Sequence, residues 1–96
     1  MKHYVDLKFR QETFTESLLE TVKSVLRQAC DQISGFQAFE LLHAKDWSED
    51  NRKVLLVLEF ADSESLKTYI AHHLHIQLLQ TVKPHLADKA IFDGLI

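Results

Sequence analysis

Residues 54–60 read Val-Leu-Leu-Val-Leu-Glu-Phe. Five consecutive apolar positions are far too few to span a membrane. They are also too unbroken for a strand with one wet face, so the run predicts a central strand buried on both sides of its sheet. The rest of the chain must therefore supply two layers of cover, and it is short. The 96 residues form a single domain, with only two Gly and one Pro to punctuate it.

Upstream, His3, Val5, Leu7 and Phe9 alternate with Tyr4, Asp6 and Lys8, the period of a half-buried strand over 3–9. Thr15 is suited to cap a helix, and Phe14 before it to staple onto Leu19. Leu18, Leu19, Val22, Val25, Leu26, Ala29 and Ile33 then recur as one helical stripe. Gly35, just past the stripe, is expected as a left-handed helix C-cap. Residues 36–43 read as a second strand, with Phe39 and Leu41 on one face and Glu40 on the other. A polar connection over 44–53 carries Trp47, which reads either as a lid over a pocket or as cover for its own loop or an interface rim. Asp62 and Ser63 cap a second helix with Leu66, Tyr69 and Ile70 inward; His72-His73-Leu74-His75 interrupts it. A further helical run carries Ile76, Leu78, Leu79 and Val82 until Pro84 stops it. The last strand is expected over 88–93.

The order is βαββαβ, so the fold class is α+β with a ferredoxin-like arrangement, two helices covering one face of a four-stranded antiparallel sheet. No helix remains for the other face. Leu55 and Val57 point there if Leu56 and Leu58 point to the helices, and Tyr4 shares that side with Asp6, Lys8, Glu40 and Glu59. A half-apolar open face predicts a partner, most economically a second copy packed sheet on sheet about a two-fold axis.

The net charge of −3 is spread without a basic patch, which argues against nucleic acid as a partner. No run is long enough for a membrane span, and the opening Met1-Lys2-His3-Tyr4-Val5-Asp6 lacks the apolar stretch of a signal peptide, so a cytoplasmic location is the default. Cys30 is the one cysteine and reads as a small packed residue of the helix rather than a nucleophile. His72 and His75 have no Cys, Asp or Glu within four residues to complete a metal set, so no metal is expected. No nucleotide loop or haem-ligand context is visible, and no cofactor is expected.

The segment Lys2-His3-Tyr4-Val5-Asp6-Leu7-Lys8-Phe9 resembles the first strand of the stress-responsive α/β-barrel domain family, often called Dabb. The block Leu58-Glu59-Phe60-Ala61-Asp62-Ser63, followed by Leu66-Lys67-Thr68-Tyr69-Ile70-Ala71-His72-His73-Leu74-His75, resembles that family too, as do Val82-Lys83-Pro84 and the last strand. The resemblance covers nearly the whole chain. It implies a protomer that dimerises through its sheets into a dimeric α/β barrel. One departure is His73, where the family commonly has a proline, which implies a softer break between the helical pieces. The family includes a plant polyketide cyclase that closes a ring by aldol chemistry. By resemblance, its two catalytic histidines correspond to His3 and His75 and its pocket tyrosine to Tyr69. A third pocket histidine of that enzyme falls at Val54 here, where this chain departs from it.

Read from the residues themselves, His3 faces the helices with Val5, Leu7 and Phe9. Tyr69, His72 and His75 follow at i, i+3 steps and share one helix face if the helix continues through them. Imidazoles exchange protons near neutral pH, and a phenol can donate to an oxyanion, so His3, His75 and Tyr69 suit acid–base chemistry, either in a cleft between the first strand and the histidine segment or in a cavity between the first helix and the sheet. The same residues also read as structural, with His72 capping a helix end and His3 and His75 satisfying each other or a backbone carbonyl. His43 and His85 read as ordinary strand-end and loop residues. Two functions follow: a homodimeric barrel of the stress-responsive type holding a small apolar ligand between helices and sheet, or a cofactor-free, polyketide-cyclase-like enzyme.

Overall fold

The computed structural model describes residues 1–43 and 52–94, with residues 90–94 by backbone alone. Trp47 lies outside the described residues. The elements are β1 (Lys2–Phe9), α1 (Glu16–Gln32), β2 (Phe36–His43), β3 (Lys53–Phe60), α2 (Ser63–Ala71), α3 (His73–Val82), a short 3-10 turn (Lys83–His85) and β4 (Leu86–Gly94). The strands form one antiparallel sheet in the order β2-β3-β1-β4. The apolar run thus lies inside the sheet, as its composition requires. No described helix is long and apolar enough to cross a membrane.

The helices form where capping and pattern agree. Thr15 Oγ1 accepts from Leu18 N–H at 3.1 Å to start α1, and Asp62 Oδ1 accepts from Ser65 N–H at 2.8 Å to start α2. Along α1, Leu18, Leu19, Val22, Val25, Leu26 and Ala29 are buried against the sheet. Beneath them lie Leu7, Phe9, Val54, Leu56, Leu58 and Phe60, all buried. Phe14 packs its ring on Phe9 at 5.1 Å and edge-on to His43 at 5.3 Å. His43 is therefore a buried core residue (8 % exposed) rather than an ordinary strand end.

Three expectations change. The β3 run is buried on one face only within the protomer: Leu55 and Val57 are half-buried. They stand on the helix-free side with their register partners Asp6 and Tyr4 on β1 and Leu42 and Glu40 on β2. Gly35 is not a helix cap. The helix is capped at Ile33, and Gly35 (φ +88°) is the third residue of the tight turn closed by Phe36 N–H on Ile33 C=O at 3.1 Å. Ile70 and Ile76 are exposed, at 47 % and 48 %. The chain stops at His72 and restarts with a new phase, so the α3 stripe is Leu74, Leu78 and Val82, while α2 buries Leu66 and Tyr69. Strand β2 also carries a bulge. Phe36 pairs with Phe60 and Ala38 with Glu59, so Gln37 is the extra residue. The bulge puts Phe36 on the same face as Phe39 and Leu41, three and five positions on.

Candidate ligand-binding site

His3 leaves β1 on the helix side and is 5 % exposed. Its register partners are Leu58 on β3 and Asp93 on β4. Tyr69 closes the last turn of α2 at 2 % exposed. Its ring meets Phe36 edge-on at 5.4 Å, Phe60 at 5.4 Å and His75 at 4.7 Å. Burial alone holds the Tyr69 phenol well above its ordinary pKa, so it stays a neutral donor. Among the described residues that hydroxyl has no hydrogen-bond partner.

The helix does not continue through the histidine segment. His72 is extended (φ −76°, ψ 146°), and its Nδ1 accepts from Leu74 N–H at 3.1 Å, so it caps α3. The break stands without the proline, because the side chain of His72 supplies a partner for a first-turn N–H of α3. His72 is thereby drawn out of line with Tyr69 and His75 and does not line the cavity described next. The backbone is already shaped for proline at the following position: His72 has the dihedrals favoured before proline, and His73 is the first residue of α3. His73→Pro is expected to stabilise the fold by roughly 0.4–1 kcal/mol through the unfolded chain. A lower midpoint in urea melts would show that His73 needs its N–H or its stack on His72.

His3, Tyr69 and His75 line one cavity of about 40 Å³, together with Val5, Leu7, Leu78, Leu79, Val82 and Lys89. Its walls are β1, β4 and the α2–α3 junction, so it is the cleft between the first strand and the histidine segment and not a cavity against α1. The reason is packing: Val22, Val25, Leu26 and Ala29 seat α1 on the sheet with 0–3 % exposure and leave no space there. The break at His72 turns α3 onto a new course, and the cavity opens beside it. His75 Nδ1 lies 3.0 Å from Ile70 C=O and donates to it, which leaves Nε2 as the acceptor nitrogen of the neutral ring. Burial lowers the His75 pKa, the bond to Ile70 opposes this, and the nearby His3 and Lys89 lower it further. Lys89 escaped notice in the sequence because only the β1–β4 register, which sets it opposite Leu7, reveals its side of the sheet.

A second, more open concavity of about 240 Å³ is lined by Asp6, Lys8, Lys53, Asp88 and Lys89. Cys30 is half-buried, with Sγ–H donating to Phe36 C=O at 3.3 Å, and burial raises its pKa, as for a packed thiol rather than a nucleophile.

A four-stranded antiparallel sheet with helices on one face defines a ferredoxin-like protomer, here with a His/Tyr cavity beneath its helices. The model of the stress responsive A/B barrel domain, Dabb, matches residues 1–95, and the chain belongs to that family. No curated protein matches the sequence significantly. Among solved structures, it is similar to a dimeric ferredoxin-like protein of unknown function from Thermobifida fusca (18% identity, TM-score 0.79, 99% of this chain and 90% of that one). It is also similar to a dimeric protein of unknown function with a ferredoxin-like fold from Bacteroides fragilis (20% identity, TM-score 0.73, 99% and 94%). A third is SnoaB, a cofactor-independent oxygenase from Streptomyces nogalater (9% identity, TM-score 0.74, 99% and 92%). At these identities the likenesses establish the fold.

Proposed function

We propose that this Dabb protein is a homodimer joined through its sheet faces, each protomer holding a small, mostly apolar ligand in the His3–Tyr69–His75 cavity. The observation that carries the ligand reading is Tyr69: a residue 2 % exposed that lines the cavity beside His3 and His75, its hydroxyl making no hydrogen bond to another described residue. Buried phenols ordinarily have one. A carbonyl oxygen of a ligand would supply it. The cavity is far below the roughly 300–1,000 Å³ of a drug-sized site, so it takes the ligand's functional group while the remainder lies along the half-buried Val5 and Leu79. The homodimer is supported by the half-apolar open face and by two structural neighbours described as dimeric.

Octan-2-one tests the ligand reading. Ligand at ~100-fold its dissociation constant stabilises the fold by about 2.7 kcal/mol, and the melting temperature rises accordingly. Leu79→Trp, which fills the cavity from its lip, is expected to abolish the rise. No shift in the parent protein, or the same shift in Leu79→Trp, would refute this reading.

One observation favours the cofactor-free enzyme as a second reading. The Ile70 bond orients His75, and its lowered pKa keeps Nε2 unprotonated at neutral pH. Such a base could take the proton from the carbon next to a bound carbonyl, with Tyr69 donating to the enolate oxygen. Deuterium exchange at the α-carbon of a β-diketone should then be accelerated by the parent and lost in His75→Gln. Equal exchange in both would remove the enzymatic reading.

A further inference from the structure

The polar groups of the cavity are His3, Tyr69, His75 and Lys89, of which Tyr69 is a donor, His75 presents its acceptor Nε2 and Lys89 is the one permanent charge among the described lining residues. Asp93 stands opposite His3 by register, four residues along β4 from Lys89, which stands opposite Leu7. Lys89 is therefore on the helix side of an edge strand, at the mouth of the cavity. Its backbone N–H is taken by Asp88 Oδ1 at 2.8 Å, but its ammonium has no ion pair or hydrogen bond among the described residues. That charge reaches into the cavity, since Lys89 and His3 both disfavour a cation on His75. Burial, the larger cause of that shift, disfavours a charge of either sign at the centre, so it is the Lys89 ammonium at the more open mouth that favours an anion.

We infer that the cavity selects ligands carrying an anionic oxygen group, a carboxylate or an enolate, which enters the cavity within reach of Lys89 at its mouth while the apolar part lies along Val5 and Leu79. The flexible lysine stem lets the ammonium stay near solvent, so the anion is never fully desolvated. Hydrogen bonds between ionised partners are roughly twice as strong as neutral ones. The inference rests on the ligand reading above and narrows it from an apolar carbonyl compound to an acid or an enolisable one.

Octanoate and octan-2-one, nearly equal in length, separate the two ideas. Titrations followed on the ring protons of His3 and His75 are expected to show octanoate binding the parent protein roughly tenfold more tightly than octan-2-one. In Lys89→Gln the two should bind within about twofold of each other, and in Lys89→Glu the preference should reverse. If octan-2-one binds and octanoate binds no more tightly, or if Lys89→Gln keeps the preference, the anionic selectivity is wrong while the ligand cavity stands. If neither moves the histidine signals, the ligand cavity is wrong and its selectivity falls with it.

Discussion

Leu55→Asp is expected to turn the proposed sheet-face dimer into a monomer, seen as a halved mass in light scattering at micromolar protein with the far-UV circular dichroism retained. Leu55 is half-buried on the helix-free face and pairs with Asp6 on β1 and Leu42 on β2. Leu42 is itself 37 % exposed. The substitution therefore leaves untouched the core beneath the helices, where Val54, Leu56, Leu58 and Phe60 are 0–2 % exposed. In a two-fold dimer every substitution appears twice. Two carboxylates facing a sheet-on-sheet interface lose hydration without gaining partners, and at several kcal/mol per buried ion the loss is at least ~4 kcal/mol, about a thousandfold in dissociation constant. The protomer exposes 5785 Å², and a standard interface covers roughly 800 Å² of each partner, about a seventh of that. An unchanged mass in Leu55→Asp, or a parent protein that is already monomeric, would refute the sheet-face dimer.

Much of this architecture was legible because the strongest patterns were local. The alternation of β1, the unbroken apolar run of β3 and the seven-residue stripe of α1 each specify an element without help from elsewhere. Errors arose where the pattern changed phase. Ile70 stands four residues after Leu66 and Ile76 begins the apolar run of the next helix, but α2 buries Leu66 and Tyr69, and α3, restarting after His72, buries Leu74, Leu78 and Val82, which leaves both isoleucines at the surface. The bulge at Gln37 was readable in principle: Phe36, Phe39 and Leu41 are spaced three and then two apart, which a regular strand cannot place on one face. In the site, His3 and Tyr69 could be aimed from their own elements, whereas Lys89 needs the β1–β4 register and the cavity's location needs the density of α1 packing. Both of these are properties of the assembled protomer.

Gly35→Ala is expected to cost about 2–5 kcal/mol, combining a left-handed penalty of roughly 1–2 with an overpacking penalty of roughly 1–3. The two parts have separate causes. The turn from α1 into β2 requires φ +88° at Gly35, where a Cβ crowds the following carbonyl. That Cβ would also run into Ser65, meeting its Oγ and lying 2.7 Å from its Cβ. Ser65 cannot easily withdraw. Its N–H and its hydroxyl both donate to Asp62 Oδ1 at 2.8 Å, and Gly35 C=O accepts from Ala61 N–H at 2.8 Å, so the turn and the start of α2 are tied together. Pushing α2 outward would also loosen Tyr69, one turn further on, from Phe36 and Phe60. Urea melts of Gly35→Ala, Ser65→Gly and the double variant measure the partition. Ser65→Gly should recover roughly 1–3 kcal/mol of the Gly35→Ala loss by removing the collision, and the remainder is the backbone strain. In the Ser65→Gly background, Gly35→Asn should be tolerated better than Gly35→Ala, because asparagine accepts the left-handed region more readily. A Gly35→Ala variant within about 0.5 kcal/mol of the parent would mean that the turn can relax to negative φ, and the close approach of α2 to it would no longer explain the glycine.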